Sequence, residues 1–183
     1  MPKAAPKVLL GVTGSIAAYK AADLARLMRK KGWDVWVVMT ACAMQYVGPL
    51  TFRALTDHPV PHGTFAEQDP DTYVHLGLAE GAAAMVVAPC SAQTLARLAH
   101  GFADDVLGCA ALALEAPLLV APAMNVRMWK NAAVQENLAT LKRRGAIVVP
   151  PGKGELACGD VGEGRLAALD AIVRAVAKAI GAR

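Results

Sequence analysis

The segment Lys7–Val12 reads KVLLGV, and it decides the fold because a short, uninterrupted apolar run of this kind predicts a buried β-strand. A turn follows, and then an amphipathic helix over residues 15–31, which Gly32 ends in the usual C-terminal position. Strands and helices go on alternating along the chain. Continuous apolar strands separated by helices are typical of a parallel sheet covered on both faces. The sequence therefore predicts an α/β fold of three layers with a doubly wound parallel sheet, Rossmann-like or flavodoxin-like.

The remaining elements follow from the same patterns. Residues 57–71 contain three prolines and are expected to be irregular. Further strands are predicted over residues 33–40, 84–88, 118–121 and 146–149. Further helices are predicted over residues 91–98, 104–114, 132–144 and 166–180, with short helical turns over 41–47 and 49–56.

Length and composition narrow the classes of protein. The 183 residues suit a single domain, residues 1–183, whose 55% apolar content excludes disorder outside a flexible tail at residues 1–6. No apolar stretch has membrane-spanning length, and the amino terminus lacks the apolar core of a signal peptide, so we expect a cytoplasmic protein with no membrane partner. The net charge of +4 suits a small anionic ligand better than nucleic acid. Four scattered cysteines lack metal-ligand spacing, so no metal site is expected.

Small, hydroxyl and amide side chains follow four of the predicted strands, in residues 11–16, 39–41, 88–94 and 121–129. Ligands of doubly wound folds bind at the carboxyl ends of the strands. Because these turns hold almost no His, Asp or Glu, they favour a phosphorylated, planar cofactor over a metal. The first turn, GVTGSI, matches neither the dinucleotide fingerprint nor a Walker A loop. Taken alone, it is explained equally well as a tight turn with Ser15 as the helix cap.

The segment Pro122–Trp129 reads PAMNVRMW and resembles the signature of the flavin-containing cysteine decarboxylases. That family includes phosphopantothenoylcysteine decarboxylases and the peptidyl-cysteine decarboxylases of lantibiotic synthesis. The glycine turn of residues 11–15, the pair Val74-His75 and the segment Gly154–Arg165 resemble the bacterial phosphopantothenoylcysteine enzymes. The resemblance runs from about residue 7 to residue 166.

The resemblance implies FMN as the cofactor, bound between the subunits of a homotrimer or of a dodecamer built from trimers. One departure is Gln93, where the family commonly has Asn, which puts any side-chain contact from Gln93 to the flavin in doubt. The implied cofactor-binding residues are Gly14, Ser15, Ile16, Thr40 (at the phosphate), Ser91 and Ala92. The implied substrate-binding residues are Met124, Asn125, Met128 and Ala157.

The implied reaction is the decarboxylation of 4′-phosphopantothenoyl-L-cysteine to 4′-phosphopantetheine, a step of coenzyme A biosynthesis. Loss of carbon dioxide from a cysteine carboxylate needs an electron sink. Oxidation of the neighbouring thiol to a thioaldehyde creates that sink, and a flavin accepts the hydride. The resulting enethiolate is then protonated and re-reduced, so no external reductant is consumed.

Three residues are the catalytic candidates: His75 as a base, Asn125 at the substrate carboxylate, and Cys158 as an acid toward the enethiolate. Each also has an ordinary structural explanation. A lone histidine is usually structural, Asn125 could simply cap the next helix, and Cys158 could be incidental. Five glycines surround Cys158 in residues 152–165, which predicts a mobile loop that covers the substrate.

Three alternatives stay open. A peptidyl-cysteine decarboxylase would stop at the enethiol, and Cys158 argues against it. A flavin prenyltransferase shares the glycine turn but not the PAMNVRMW element. A non-catalytic FMN-binding regulatory subunit is opposed by the joint presence of His75, Asn125 and Cys158. The chain has no room for the phosphopantothenate–cysteine ligase to which bacterial relatives are fused, so it is either free-standing, with a functional link to that ligase, or a fragment.

Overall fold

Five parallel strands form the central sheet, in the order β2-β1-β3-β4-β5. The structure is a computed structural model that describes residues 4–63, 73–157 and 159–181. The chain leaves β1 toward β2 on one side and later returns to add β3 on the other, so the strand order reverses between β1 and β3. The strands are β1 Lys7–Val12, β2 Asp34–Met39, β3 Ala82–Cys90, β4 Leu118–Pro122 and β5 Ile147–Val148.

Helices cover both faces of this sheet. One apolar core lies under α1, α2 and α8, and a second lies under α4, α5 and α7. The described helices are α1 Lys20–Lys30, α2 Pro49–Thr56, α3 Val74–Ala79, α4 Ala92–His100, α5 Val106–Leu112, α6 Val126–Lys130, α7 Ala132–Arg143 and α8 Leu169–Gly181. The predicted doubly wound α/β fold is confirmed, and the order 2-1-3-4-5 is of the flavodoxin type.

Several element boundaries differ from the sequence prediction. A 3-10 turn over Ile16–Tyr19 precedes α1, and only a 3-10 turn, Ala43–Gln45, occupies the short helix predicted after β2. The helical turn predicted at residues 49–56 is a full helix, with Pro49 at its first position, where the N–H that proline lacks would have no helical partner. Strand β3 is longer than predicted because it begins at Ala82 and because Cys90 pairs with Pro122 of β4 beyond a shift in the register.

The largest difference concerns residues 152–165, which were predicted to be a mobile loop. They contain an antiparallel hairpin of β6 Gly152–Glu155 and β7 Val161–Arg165. Strand propensity did not indicate it, since glycine is a poor strand former. We call this element, residues 152–157 and 159–165, the site hairpin.

No helix in the described part of the chain has both the length and the apolar character that a bilayer crossing requires.

Candidate active site

Thr13 joins the carboxyl ends of β1 and β3, the two strands at the reversal point. Its buried hydroxyl donates to the carbonyl oxygen of Pro89 at 2.7 Å and accepts from the backbone N–H of Ser91 at 2.9 Å. Both backbone groups lie beyond the end of the hydrogen-bonded ladder between β1 and β3. The Thr13 hydroxyl therefore supplies the hydrogen-bond partner that a neighbouring strand would otherwise provide. This contact holds the first and third turns at one edge of the sheet.

Ser15 has the capping role that the sequence left open, and it also forms part of a cavity wall. Its hydroxyl oxygen accepts from Ala17 N–H at 3.3 Å, and the hydroxyl lies 3.5 Å from the carbonyl oxygen of Ala123, to which it donates. The turn after β1 is thereby tied to the turn after β4. Ser15 therefore caps the helical turn and lines the site at the same time.

A cavity of about 500 Å³ opens at this edge between the strand ends and the site hairpin; we call it the first cavity. Its volume lies within the range of small-molecule sites, roughly 300–1,000 Å³. The residues predicted to bind the cofactor or the substrate that line it are Gly14, Ser15, Ile16, Ser91, Ala92, Met124, Asn125, Met128 and Ala157.

A second cavity, of about 450 Å³, adjoins the first and shares four lining residues with it. Thr40 lines the second cavity but not the first. Its hydroxyl oxygen accepts from Ala43 N–H at 3.2 Å at the end of β2. The shared residues are Gly14, Ser91, Ala92 and Met128. The two cavities therefore form adjacent parts of one site.

Gly14 is required where the two cavities meet. A Cβ at this position would overlap the Sγ and Cβ atoms of Cys42. The absent side chain lets the Cys42 side chain pack directly against the backbone of the turn. The motif alone did not decide this, because Cys42 reaches Gly14 only through the packing of β2 beside β1.

The third turn contributes Ser91 as the cap of α4. Its hydroxyl oxygen accepts from Thr94 N–H at 3.2 Å, and its hydroxyl lies 3.1 Å from the Thr94 hydroxyl. Cys90 beside it is fully buried, and burial raises the pKa of its thiol well above the ordinary range. Cys90 is therefore a protonated core residue and not a nucleophile.

Arg97 is the cation of the second cavity, and two carboxylates engage it. Its guanidinium lies 2.9 Å from Asp104 and 3.2 Å from Asp105. Asp105 is buried and also caps α5 by accepting from Gly108 N–H at 2.7 Å. This cluster lines the second cavity with one cation against two carboxylates, so Arg97 has no positive charge to spare.

Asn125 uses both ends of its amide. The oxygen accepts from Arg127 N–H at 2.7 Å and caps α6, while the nitrogen donates to Asp160 Oδ2 at 2.9 Å. Asn125 is therefore both the cap of α6 and a lining residue of the first cavity. The donor that was predicted to meet the substrate carboxylate meets a carboxylate of the site hairpin.

The glycines of the site hairpin allow it to seat against α6. A Cβ at Gly162 would lie 2.7 Å from Val126 Cγ2, and a Cβ at Gly164 would overlap the carbonyl oxygen of Met124. The close approach allows Met124 N–H to donate to the Gly164 carbonyl at 2.9 Å. Gly164 also has a φ of +149°, which favours glycine. Four of the five glycines near Cys158 lie within the strands of the hairpin. The close contacts at Gly162 and Gly164 were not foreseen when these residues were predicted to form a loop.

Similarity to known proteins agrees with this geometry. A family profile described as Flavoprotein matches residues 2–181. The chain belongs to the flavoprotein family. Among curated members, it is 48% identical over 172 residues to a probable phosphopantothenoylcysteine decarboxylase of Streptococcus mutans, covering 93% of this chain and 96% of that protein. It is 45% identical over 163 residues to the coenzyme A biosynthesis bifunctional protein CoaBC of Vibrio vulnificus, covering 89% of this chain. The aligned region is 41% of that longer protein.

Two solved flavoprotein structures share the fold closely. A phosphopantothenoylcysteine decarboxylase mutant in complex with pantothenoylaminoethenethiol superposes with a TM-score of 0.82 at 32% identity, covering 95% of this chain and 97% of that chain. The FMN-dependent cysteine decarboxylase SpaF superposes with a TM-score of 0.80 at 32% identity, covering 96% and 98%. The predicted membership among flavin-containing cysteine decarboxylases is confirmed.

One predicted site residue of this flavoprotein is not brought to the cavities. His75 lies half-buried on α3, which packs against α5, and it lines neither cavity. Cys158 lies outside the described residues. Its predecessor Ala157 lines the first cavity, and the backbone N–H of Leu156 donates to the Asp160 carbonyl at 2.8 Å.

Three residues of this flavoprotein's site were missed from the sequence. Thr13 stood inside the quoted glycine turn, but its role depends on a strand that lies 76 residues further along the chain. Asp160 stood inside the quoted glycine-rich segment, but its contact with Asn125 requires the site hairpin to fold. Lys20 lines the first cavity one turn after Ser15, where the amphipathic pattern had explained it as a helix residue.

Proposed function

We propose that this flavoprotein is an FMN-dependent decarboxylase that converts 4′-phosphopantothenoyl-L-cysteine to 4′-phosphopantetheine in coenzyme A biosynthesis. The observation that carries the proposal is Asn125, which lines the first cavity next to the turns predicted for FMN and donates from its amide nitrogen to Asp160 of the site hairpin. The name of the 48%-identical relative and the pantothenoyl ligand in the similar structure support the substrate class.

The residues present fit FMN. The turn at Gly14 has no side chain where the two cavities meet, and hydroxyls of Thr40, Ser91 and Thr94 surround the second cavity. Hydroxyls and free backbone amides at helix starts suit a phosphate group. Bound FMN would supply the hydride acceptor and donor for the substrate's cysteinyl carbon. In this proposal, Gly14, Ser15, Ile16, Ser91 and Ala92 hold the flavin, and Thr40 lies at its phosphate.

The chain's own residues orient the substrate and exclude water. Asn125 would donate from its amide nitrogen to the substrate carboxylate, in place of the Asp160 carboxylate that accepts from it at 2.9 Å. Met124, Met128 and Ala157 form the apolar surroundings of the reacting group, since a carboxylate loses carbon dioxide more readily away from water. Cys158 would protonate the enethiolate carbon, which completes the proton balance when the substrate is re-reduced.

A homotrimer, or a dodecamer of trimers, would supply the missing histidine. His75 lies on α3, where Leu76 is 49% exposed, and Tyr73 just before the helix is 78% exposed. Leu112 on α5 is 61% exposed. Large exposed apolar side chains grouped on one surface favour an interface between subunits. We propose that this surface packs against the cavity edge of a neighbouring copy, where the neighbour's His75 acts as the base.

We also propose that the protein lies in the cytoplasm and is functionally linked to a ligase. The described cysteines Cys42, Cys90 and Cys109 are free thiols, which a reducing cytoplasm would preserve. A phosphopantothenate–cysteine ligase would supply the substrate, and a functional link between the two activities would fit a relative that is named as a bifunctional protein of coenzyme A biosynthesis. A second candidate is a cysteine decarboxylase with another substrate, such as a peptidyl cysteine, because the FMN-dependent cysteine decarboxylase SpaF is similar at the same 32% identity.

The decisive experiment is mass spectrometry of 4′-phosphopantothenoylcysteine after incubation with the purified holoenzyme. We expect a product lighter by carbon dioxide alone. A product lighter by carbon dioxide and two hydrogens would indicate an enethiol-forming enzyme, and unchanged substrate with FMN bound would contradict the decarboxylase. The Cys158→Ser variant should bind FMN and release carbon dioxide but stop at the oxidised product; full turnover by that variant would refute the role given to Cys158.

Mixed oligomers test the shared site. His75→Asn and Asn125→Asp subunits, each inactive alone, should regain part of the activity when they assemble together, because some sites then combine an intact histidine with an intact asparagine. Absence of recovery in verified mixed oligomers would contradict a site built from two subunits.

A further inference from the structure

Lys7 connects the start of the sheet to α3, the helix that carries His75. Its Nζ donates to the carbonyl oxygen of Gly77 at 2.6 Å and to that of Glu80 at 3.0 Å. Carbonyl groups at the end of a helix lack partners within it, and a cation there also complements the negative end of the helix dipole. Lys7 therefore holds the carboxyl end of α3 from a strand 70 residues earlier in the chain.

Helix α3 depends on such contacts because it is short. It has six residues, and in the part of the chain that the structure describes no side chain caps its start. Isolated helices shorter than about 12 residues are unstable in water, so tertiary contacts have to hold α3 in place. Its buried side chains, Leu78 and Ala79, lie in the last turn, where Lys7 also binds. The position of the half-buried His75 is therefore set from the carboxyl end of the helix.

Lys7 also spans the junction between α3 and β3. Only Glu80 and Gly81 separate the helix from the strand, and Lys7 pairs with Ala82, the first residue of β3, in the parallel ladder. The backbone of Lys7 thus contacts the start of β3 while its side chain contacts the end of α3. The two contacts together restrain the angle at which α3 leaves the sheet.

A cluster around β2 holds the ammonium group of Lys7 in place. Nζ lies 5.2 Å from the centroid of the Trp36 ring, within the range of a cation–π contact. The indole N–H of Trp36 donates to Asp34 Oδ2 at 2.8 Å, and its ring stacks on His58 with the centroids 3.9 Å apart. Burial lowers the pKa of the Lys7 ammonium group, and the carboxylates of Asp34 and Glu80 oppose that effect. The cation is therefore partly desolvated, which strengthens its hydrogen bonds to the carbonyl groups.

We propose that Lys7 is a positioning residue for His75 and that, through α3, it acts on the active site of the neighbouring subunit. This inference rests on the proposed function, in which His75 is the base of a neighbouring copy. Lys7 lines neither cavity of its own subunit, so its effect on the reaction has to pass through α3. Its removal should therefore lower kcat and leave KM and the binding of FMN close to their wild-type values.

The test uses Lys7→Met in the FMN-loaded protein, with Lys7→Arg as the conservative variant. Methionine keeps most of the apolar length but has no donor, whereas arginine keeps donors for both carbonyl groups. The matched control is Arg29→Met. Arg29 donates to the carbonyl oxygen of Leu55, near the end of α2, at 2.6 Å and pairs with Asp57. Because α2 carries none of the proposed site residues, this control removes the same kind of contact without moving a catalytic group.

We expect Lys7→Met to lower kcat about 10- to 100-fold, because misplacement of a catalytic group by about 1 Å costs about 100-fold. Lys7→Arg should recover most of that loss, and Arg29→Met should have wild-type kcat. Steady-state decarboxylation of 4′-phosphopantothenoylcysteine measures all three. A wild-type kcat in Lys7→Met, a rise in KM without a fall in kcat, or an equal loss in Lys7→Arg would overturn the positioning role.

Mixed oligomers separate positioning from a general loss of stability. Lys7→Met subunits should regain activity when they assemble with Asn125→Asp subunits, because some sites then combine an intact asparagine with an α3 that Lys7 still holds. They should regain none with His75→Asn subunits, because every remaining His75 then lies on a misplaced helix. The pair of His75→Asn and Asn125→Asp is the positive control. The opposite pattern in verified mixed oligomers would show that Lys7 does not act through His75.

Hydrogen exchange tests the contact without reference to activity. The amides of residues 76–80 should exchange about tenfold faster in Lys7→Met than in the wild-type protein, as loss of a hydrogen bond to a charged group predicts, and those of α2 should not change. Arg29→Met should show the reverse. If the wild-type protein does not decarboxylate the substrate, the proposed function fails, whereas exchange still shows whether Lys7 holds α3. Unchanged exchange of α3 in Lys7→Met would overturn the inference even in an active enzyme.

Discussion

The two walls of the first cavity are built in different ways. The wall of strand ends continues the core: β1 is buried from Val8 onward, and the hydroxyl of Thr13 is fully buried between two strands. In the opposite wall, β6 has no buried residue and β7 has only Gly164. Regions with few buried apolar contacts open most easily. One wall is therefore positioned by packing, and the other by a few polar contacts and close backbone approaches.

Asn125 lies where the two walls meet, and its replacement by Asp should have the largest effect. Asp caps helices about as well as Asn, so α6 should persist. The amide donor is lost, however, and a carboxylate then faces Asp160. Removal of one positioned donor in an active site typically costs about 100- to 1,000-fold in kcat. We expect a loss of that size in kcat, with FMN still bound, measured by steady-state decarboxylation.

The control for this change is Asn131→Asp. Asn131 caps α7 by accepting from Ala133 N–H at 3.0 Å, and it lines neither cavity. Its variant should retain normal activity. If Asn125→Asp were also fully active, Asn125 would be only a helix cap.

Gly164→Ala should detach the hairpin wall while leaving the strand-end wall intact. The added Cβ would overlap the Met124 carbonyl, so the hydrogen bond between these residues cannot form without displacement. A displacement near 1 Å in an active site can cost about 100-fold, and we expect kcat/KM to fall by about that factor. FMN absorbance should be retained.

Trp129 provides an optical readout of this change. Its indole N–H donates to Glu163 of the hairpin at 3.3 Å, so its fluorescence should report undocking. Gly152→Ala is the matched control, because a Cβ there has no neighbour closer than 3.8 Å. Normal kinetics of Gly164→Ala would show that the hairpin does not need its close approach to α6.

Thr13→Val tests the strand-end wall and should have the smallest effect on catalysis. Valine keeps the shape but removes the hydroxyl, which leaves the Pro89 carbonyl and the Ser91 N–H without their partner. An unsatisfied buried polar group costs about 1–3 kcal/mol of unfolding free energy. We expect that loss in denaturant titration, with weaker FMN binding and a change in kcat of only a few-fold.

Thr140→Val is the control, since within the described residues the Thr140 hydroxyl accepts only from the exposed side chain of Arg143, at 2.9 Å. It should change stability little. If Thr13→Val left stability unchanged but lowered kcat as strongly as Gly164→Ala, the strand-end wall would not be the one that is positioned by packing.

The sequence by itself determined the fold class and which turns lie at the candidate site. Continuous apolar strands alternating with helices can bury their surfaces only in a layered parallel sheet, and the carboxyl ends of such strands meet at one edge. Gly14, Thr40, Ser91 and Asn125 were therefore predicted as neighbours from their places after strands. The PAMNVRMW element carried the family, because no periodicity could have indicated a flavin.

Only the tertiary structure decided how the second wall is made. Residues 152–165 look like a glycine-rich loop, since glycine has low strand propensity. Their glycines serve instead to remove side chains at contacts with Met124, Val126 and Arg165, which are distant in sequence or on the opposite strand. The link from Thr13 to β3, and that from Asn125 to Asp160, likewise depend on chain segments at least 35 residues apart. Local sequence determines which residues can form such contacts, but the packing of strands and helices determines which of them meet.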